Sequence, residues 1–99
     1  MIDFHAIVGF QWDEGNARKN ERHGVSQGEA EEVFFDSRLL VVADMQHSMQ
    51  EQRYHALGMT RDSRHLHITF TLRDSMTRIR VISARDMHRN EKAIYEQAV

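Results

Sequence analysis

Apolar and polar residues alternate most cleanly from His65 to Leu72. Leu66, Ile68, Phe70 and Leu72 fall on one side, and His65, His67, Thr69 and Thr71 on the other. That period of two predicts a half-buried strand. Three further segments read as strands. Leu39 to Ala43 is a continuous apolar run, Arg53 to Met59 ends near Gly58, and Arg78 to Ala84 follows a turn near Asp74 and Ser75. Upstream the period changes. Ala30, Val33 and Phe34 share the three- and four-residue spacing of a helix face, predicting a helix from about Gln27 to Phe35. Ser26 and Glu29 form the sequence pattern of a capping box at its start. A last helix is expected from about Met87 to Ala98, with Asp86 as its cap, and residues 4 to 10 are apolar enough for a short first strand or an ordered arm. The expected class is α+β. It comprises two N-terminal helices, an antiparallel sheet of about four strands with a candidate further N-terminal strand, and a C-terminal helix. One sheet face should be covered and the other partly open.

The stretch from Trp12 to Ser26 does not obey this logic. It has almost no apolar side chains, yet Asp13 can cap a helix and Gly24 can end one just after His23. A helix from about Asp13 to His23 would have no apolar face to anchor it. It would leave a histidine beside the cation Arg22 at its exposed end.

Ninety-nine residues, 40% apolar and 28% charged, fit one soluble domain spanning 1–99. No cysteine, no signal-like N-terminus and no apolar run of membrane-spanning length point to a cytoplasmic protein without membrane contact. A net charge of −2 argues against a general nucleic-acid coat. Locally the balance reverses. Between Arg73 and Lys92 six cations face three anions, so a phosphate site or a site for an acidic partner is expected there, against the plainer reading of a solvated charged face. Arg80 and Arg85 are five residues apart, which strict alternation sends to opposite faces. They converge only if the strand ends or twists near Ala84. The structural alternative makes Arg80 a solvated strand residue and Arg85 a clamp on an acidic cap. His65 and His67 share a strand face at metal-ligand spacing, but no third ligand is defined beyond an approach by His55 or His47. No metal site is therefore expected. No phosphate-cradling glycine loop or nucleophile elbow is present.

Three blocks of the chain resemble the BrnT toxins of bacterial type II toxin–antitoxin pairs. They are F-Q-W-D-E-G-N with R-H-G-V-S and E-A-E-E-V-F-F, then V-V-A-D-M-Q-H-S through R-Y-H-A-L-G, and I-R-V-I-S-A-R-D-M-H-R-N-E-K-A-I-Y-E. They run in order from Phe10 to Glu96. In one respect the chain departs from the family pattern: the interval from tryptophan to histidine is one residue shorter, and Arg22 stands where lysine is usual. One residue turns the end of a helix by about 100°.

The resemblance implies a RelE-like fold and a metal-independent endoribonuclease that needs no cofactor. It also implies neutralisation by a BrnA-type antitoxin whose ribbon-helix-helix part binds operator DNA, in a hetero-oligomer carrying two toxins. Cleavage through the 2′-OH requires a base, an acid and cations for the phosphorane oxygens. His23 is the expected acid or base. Arg80 and Arg85 are the expected phosphate clamps, because guanidinium N–H groups match phosphate oxygens and stay charged. Arg53 is a further catalytic candidate and Glu51 a weaker base candidate. Arg22, Arg78, His65 and His67 are expected to meet the substrate, with His65 or His67 also eligible as a second proton-transfer group. Trp12 is expected to be core rather than a stacking platform. A reading from another class makes the chain a catalytically weak antitoxin-binding module acting mainly as co-repressor. Direct nucleic-acid binding is disfavoured by the charge and the lack of stacking aromatics.

Overall fold

A computed structural model describes residues 2–47 and 50–98, with the backbone alone at 19–21. Five strands form one mixed sheet: β1 (Gly9–Phe10), β2 (Leu40–Asp44), β3 (Arg53–Met59), β4 (His65–Arg73) and β5 (Arg78–Asp86). Their order is β1-β5-β4-β3-β2. The four long strands make the expected antiparallel meander, whereas β1 lies parallel to β5 at its outer edge. The wholly antiparallel expectation is thus corrected. The N-terminal strand follows no hairpin into the sheet, and it pairs through long-range bonds such as Gln11 N–H to the Ile79 carbonyl, 2.8 Å.

The described residues also form a 3-10 turn at Phe4–Ala6 and three α-helices: α1 (Glu14–Glu21), α2 (Gln27–Val33) and α3 (Arg89–Gln97). The Ser26–Glu29 capping box forms reciprocally. Gly24, at φ +67°, takes the left-handed backbone that follows α1. Three helix boundaries differ from expectation. α1 stops at Glu21, short of His23, α2 stops at Val33, short of Phe35, and α3 is capped at His88 instead of Asp86. Asp86 is drawn away by a bidentate pair with Arg64 (2.8 and 3.1 Å), and the backbone N–H of His88 donates to Glu91 instead (2.8 Å).

One sheet face carries the core. Ala56, Leu66, Ile68, Phe70, Ile79, Val81 and Ala84 pack with Val25, Ala30 and Val33, flanked by Trp12 and Phe34. Trp12 is therefore core-packed, its indole N–H donating to Glu31 of α2 at 2.8 Å. α2 sits close on β3 because Gly58 has no side chain. A Cβ there would lie 2.6 Å from Val33 Cγ1 and 3.1 Å from the Val33 carbonyl oxygen. Gly58→Ala is expected to lower unfolding free energy by about 1–3 kcal/mol through overpacking, read from a urea titration. An unchanged midpoint would mean that α2 can shift freely.

α1 solves its lack of an apolar face by polar means. Asn16 is 2% exposed, and its amide donates to the carbonyls of Gln11 (2.9 Å) and Val81 (2.8 Å) while its oxygen accepts the Asp13 N–H (2.8 Å). Because β1 covers only the start of β5, this side chain supplies the donor that a longer strand would have given Val81.

Candidate active site

The second face of the sheet holds the polar residues, and cross-strand register arranges them in rows. Asp44, Arg53, Thr71 and Arg80 stand opposite one another. The next row is Val42, His55, Thr69 and Ser83, and the third is Leu40, Leu57, His67 and Arg85. Successive rows are separated by about 7 Å along the strands. Arg80 and Arg85 share this face through a β-bulge. Thr69 pairs with Ser83 but Phe70 pairs with Val81, leaving Ile82 as the extra residue. The expected change of direction near Ala84 thus occurs two residues earlier.

Three of the arginines expected at the site, Arg78, Arg80 and Arg85, each grip a carboxylate. Arg80 grips Asp13 with two bonds (2.8 and 3.0 Å) and the Gln11 side chain with a third, tying the site to the start of α1. Arg85 grips Glu91 of α3 with 2.8 and 2.9 Å bonds and also donates to the Asp86 carbonyl. Arg85 is thus the clamp on a helix-cap acid that the structural alternative envisaged. Each arginine uses three of its five N–H donors in these bonds, which leaves donors for a phosphate. Arg78 pairs with Asp74 (3.0 Å) on the hairpin, and Arg73 pairs with Glu51 (3.1 Å). The basic run of the sequence is therefore interleaved with carboxylates. Arg53, Arg80, Glu51, Gly15, Asn16 and Ile82 line a cavity of about 150 Å³ between α1 and the loop before β3.

The other residues expected in the site separate. His23 and Arg22 are exposed on the turn after α1. The His23 carbonyl receives a long bond from Arg64 (3.4 Å), and its ring bears electrostatically on Asp86, at the far end of β5 from Arg80. His65 lies on the polar face but is covered edge-to-face by Tyr95 of α3, at 5.5 Å. Tyr95 in turn donates to Asp36, and burial and that carboxylate push the phenol up to about 12.

His67 stays in the centre. It is 12% exposed, 3.9 Å from Glu91, and its Nδ1 is buried with no hydrogen-bond partner among the described residues. Burial, then the Arg85 charge, pushes it down to about 4, so its ring is neutral at pH 7. Glu91 is held at about 2 chiefly by Arg85, against burial and with help from the His88 N–H.

Sequence reasoning gave Asp44 and Thr69 no role here, and weighed His55 only as an approaching metal ligand. The Nε2–H of His55 donates to Asp44 Oδ2 at 2.9 Å, and Nδ1 lies 3.0 Å from Thr69 Oγ1. The rings of His55 and His67 are 4.9 Å apart. Burial raises the Asp44 carboxyl's affinity for a proton. The backbone N–H groups of Gln46 and His47 and both imidazoles outweigh that, holding it well below the usual carboxylate range. Strand parity was the available signal, since Arg53 and His55 must share a face. Among the described residues, no group of three histidine or carboxylate side chains is arranged to hold a metal.

Residues 12–91 match the family described as "Ribonuclease toxin, BrnT, of type II toxin-antitoxin system". The chain belongs to the BrnT family. A comparison with curated proteins finds no match. Membership makes this BrnT chain a ribonuclease toxin of a type II pair, with RNA as its substrate class and a protein antitoxin as its partner. Among the described residues, no helix of this BrnT protein is long and apolar enough to cross a membrane.

Proposed function

We propose that this BrnT protein is a metal-independent endoribonuclease that cleaves RNA on the open sheet face by attack of the ribose 2′-OH. The observation that carries the reading is the placement of Arg53, Arg80 and Arg85 on one face by register and bulge, with imidazoles between them. Guanidinium groups supply the positive charge that a developing phosphorane requires, and histidine supplies proton transfer near neutral pH, so the necessary roles are filled by side chains. Arg53, Arg80 and Arg85 form the phosphate clamp. Glu51 lines the Arg80 cavity but is paired with Arg73, which makes it a positioning carboxylate more than a base. Arg22 and His23 flank the far end of β5, with Arg78 at the hairpin.

The meander with one open face supports the RelE-like assignment. The family supports a cytoplasmic toxin held by a BrnA-type ribbon-helix-helix antitoxin, which brings two toxins to operator DNA. Interleaved carboxylates favour one second reading. Arg80 and Arg85 already have anionic partners, as expected of a catalytically weak module that mainly docks its antitoxin.

Expression of the chain alone should arrest growth and yield RNA fragments ending in 2′,3′-cyclic phosphate and 5′-hydroxyl, with cleavage persisting in excess EDTA. Arg85→Ala should reduce cleavage roughly 10²–10³-fold while antitoxin binding survives. Normal growth with soluble, folded toxin would refute the ribonuclease reading. Equal loss of cleavage and antitoxin binding would favour the docking module.

A further inference from the structure

The Asp44–His55–Thr69 chain has no role in the clamp described above, and its geometry invites one. It runs across three strands on the open face: carboxylate on β2, imidazole on β3, hydroxyl on β4. His55 occupies the middle row, between the Arg53–Arg80 row and the His67–Arg85 row. An RNA backbone laid from one arginine row to the other would pass beside it. We propose that His55, oriented by Asp44, is the general base that takes the proton from the attacking ribose 2′-OH. This rests on the ribonuclease reading and adds to it a residue pair that the family resemblance did not point to.

The tautomer follows from the partners. An ionised carboxylate only accepts, so Nε2 carries the hydrogen and Nδ1 keeps its lone pair toward Thr69. The Thr69 hydroxyl donates to the neutral ring and can accept from the protonated one. The imidazole therefore changes charge without losing a partner, and a threonine rotamer change opens Nδ1 to a substrate hydroxyl. The 3.0 Å contact shows that a hydroxyl on this face reaches Nδ1. In the step, the proton leaves the 2′-oxygen for Nδ1 and the 2′-O–P bond forms. The P–O5′ bond breaks, and O5′ takes a proton from water. The products are a 2′,3′-cyclic phosphate and a 5′-hydroxyl, and His55 returns its proton to solvent. Asp44 is a positioning residue that also stabilises the imidazolium.

The charged and titratable groups around His55 come from every element that faces it. They are Asp44 of β2, His47 of the following loop, Arg53 on its own strand, His67 of β4, Arg85 of β5 and Glu91 of α3. Asp44 is 7% exposed and in direct hydrogen bond, so it dominates that set.

The test measures cleavage of a fixed RNA by the full chain across pH, together with RNA affinity and thermal unfolding. His55→Gln keeps an N–H for Asp44 but no titratable base. It should cleave about 10²–10⁴-fold more slowly, lose the ascending limb of the pH–rate profile, and bind RNA within about threefold of wild type. Asp44→Asn presents an amide N–H to Nε2, which forces the proton onto Nδ1, the wrong nitrogen. Its rate should fall at neutral pH while RNA affinity stays within about threefold of wild type. A chain that only knits β2, β3 and β4 together would alter unfolding and leave the pH profile in place, which would overturn the proposal. So would wild-type rates in His55→Gln, or loss of the ascending limb in His23→Gln alone. Wild-type protein that cleaves no RNA would refute the ribonuclease reading and this assignment with it. Active wild type with active His55→Gln would overturn this assignment only.

Discussion

Asn16→Ala is expected to lower the unfolding free energy by about 3 kcal/mol, from three hydrogen bonds worth roughly 1 kcal/mol each. For a domain of this length that is a fall in Tm of roughly 12–24 °C. The side chain joins Gln11, Asp13 and Val81, so its loss strands two carbonyls and an N–H in a nearly dry position. Asn16→Asp should be worse, since a carboxylate would face the carbonyls of Gln11 and Val81 with no donor to offer. Loosening α1 would also release Asp13, and with it the grip on Arg80. Calorimetry on the purified chain measures the effect. A loss below about 1 kcal/mol would show that something other than Asn16 fastens α1 to β5.

The second large effect is a loss of stability on acidification in two stages. His67 takes a proton at about pH 4 in the fold but at an ordinary 6.5 when unfolded. Below 6.5 the unfolded chain binds the proton and the folded chain does not, so stability falls as pH drops toward 4. A gap of that size is worth on the order of 3 kcal/mol. Glu91 acts lower down. Its folded value is about 2 against 4.5, so the stability that it contributes is complete above 4.5 and lost as pH falls toward 2. Asp44, Asp36, Asp13 and Asp86 are all shifted down and act in the same direction. Urea midpoints at pH 7, 5 and 3 should decline at each step. His67→Leu should flatten the upper step. An equal decline between pH 7 and 5 in that variant would remove His67 as the cause.

Much of the fold was legible because its signals are local. The alternation in β4 and the Ser26–Glu29 box each depend on residues within a few positions of one another, and each formed as read; Gly24 took the left-handed backbone, although α1 already stops at Glu21. The site was legible only in its residue types. Arg53, Arg80, Arg85 and His67 are on the open face, but His65 is covered by Tyr95 and His23 lies by Asp86. Strand parity ties residues on one strand to one face. It says nothing of which helix later crosses them, so the covering of His65 could not be read. His55 was passed over for a related reason. Its carboxylate is on another strand, eleven residues upstream, and a lone histidine in a strand carries no mark of such a partner.

By itself the sequence determined the family, the four meander strands, the helix order and the charge pattern, because local periodicity, caps and turns write these directly into neighbouring residues. Only the tertiary structure decided that a bulge at Ile82 puts Arg80 and Arg85 on one face, that β1 joins in parallel, and that a polar helix is held by a buried asparagine. Those outcomes depend on register and hydrogen-bond partners between segments up to 69 residues apart, where no local pattern records which group will meet which.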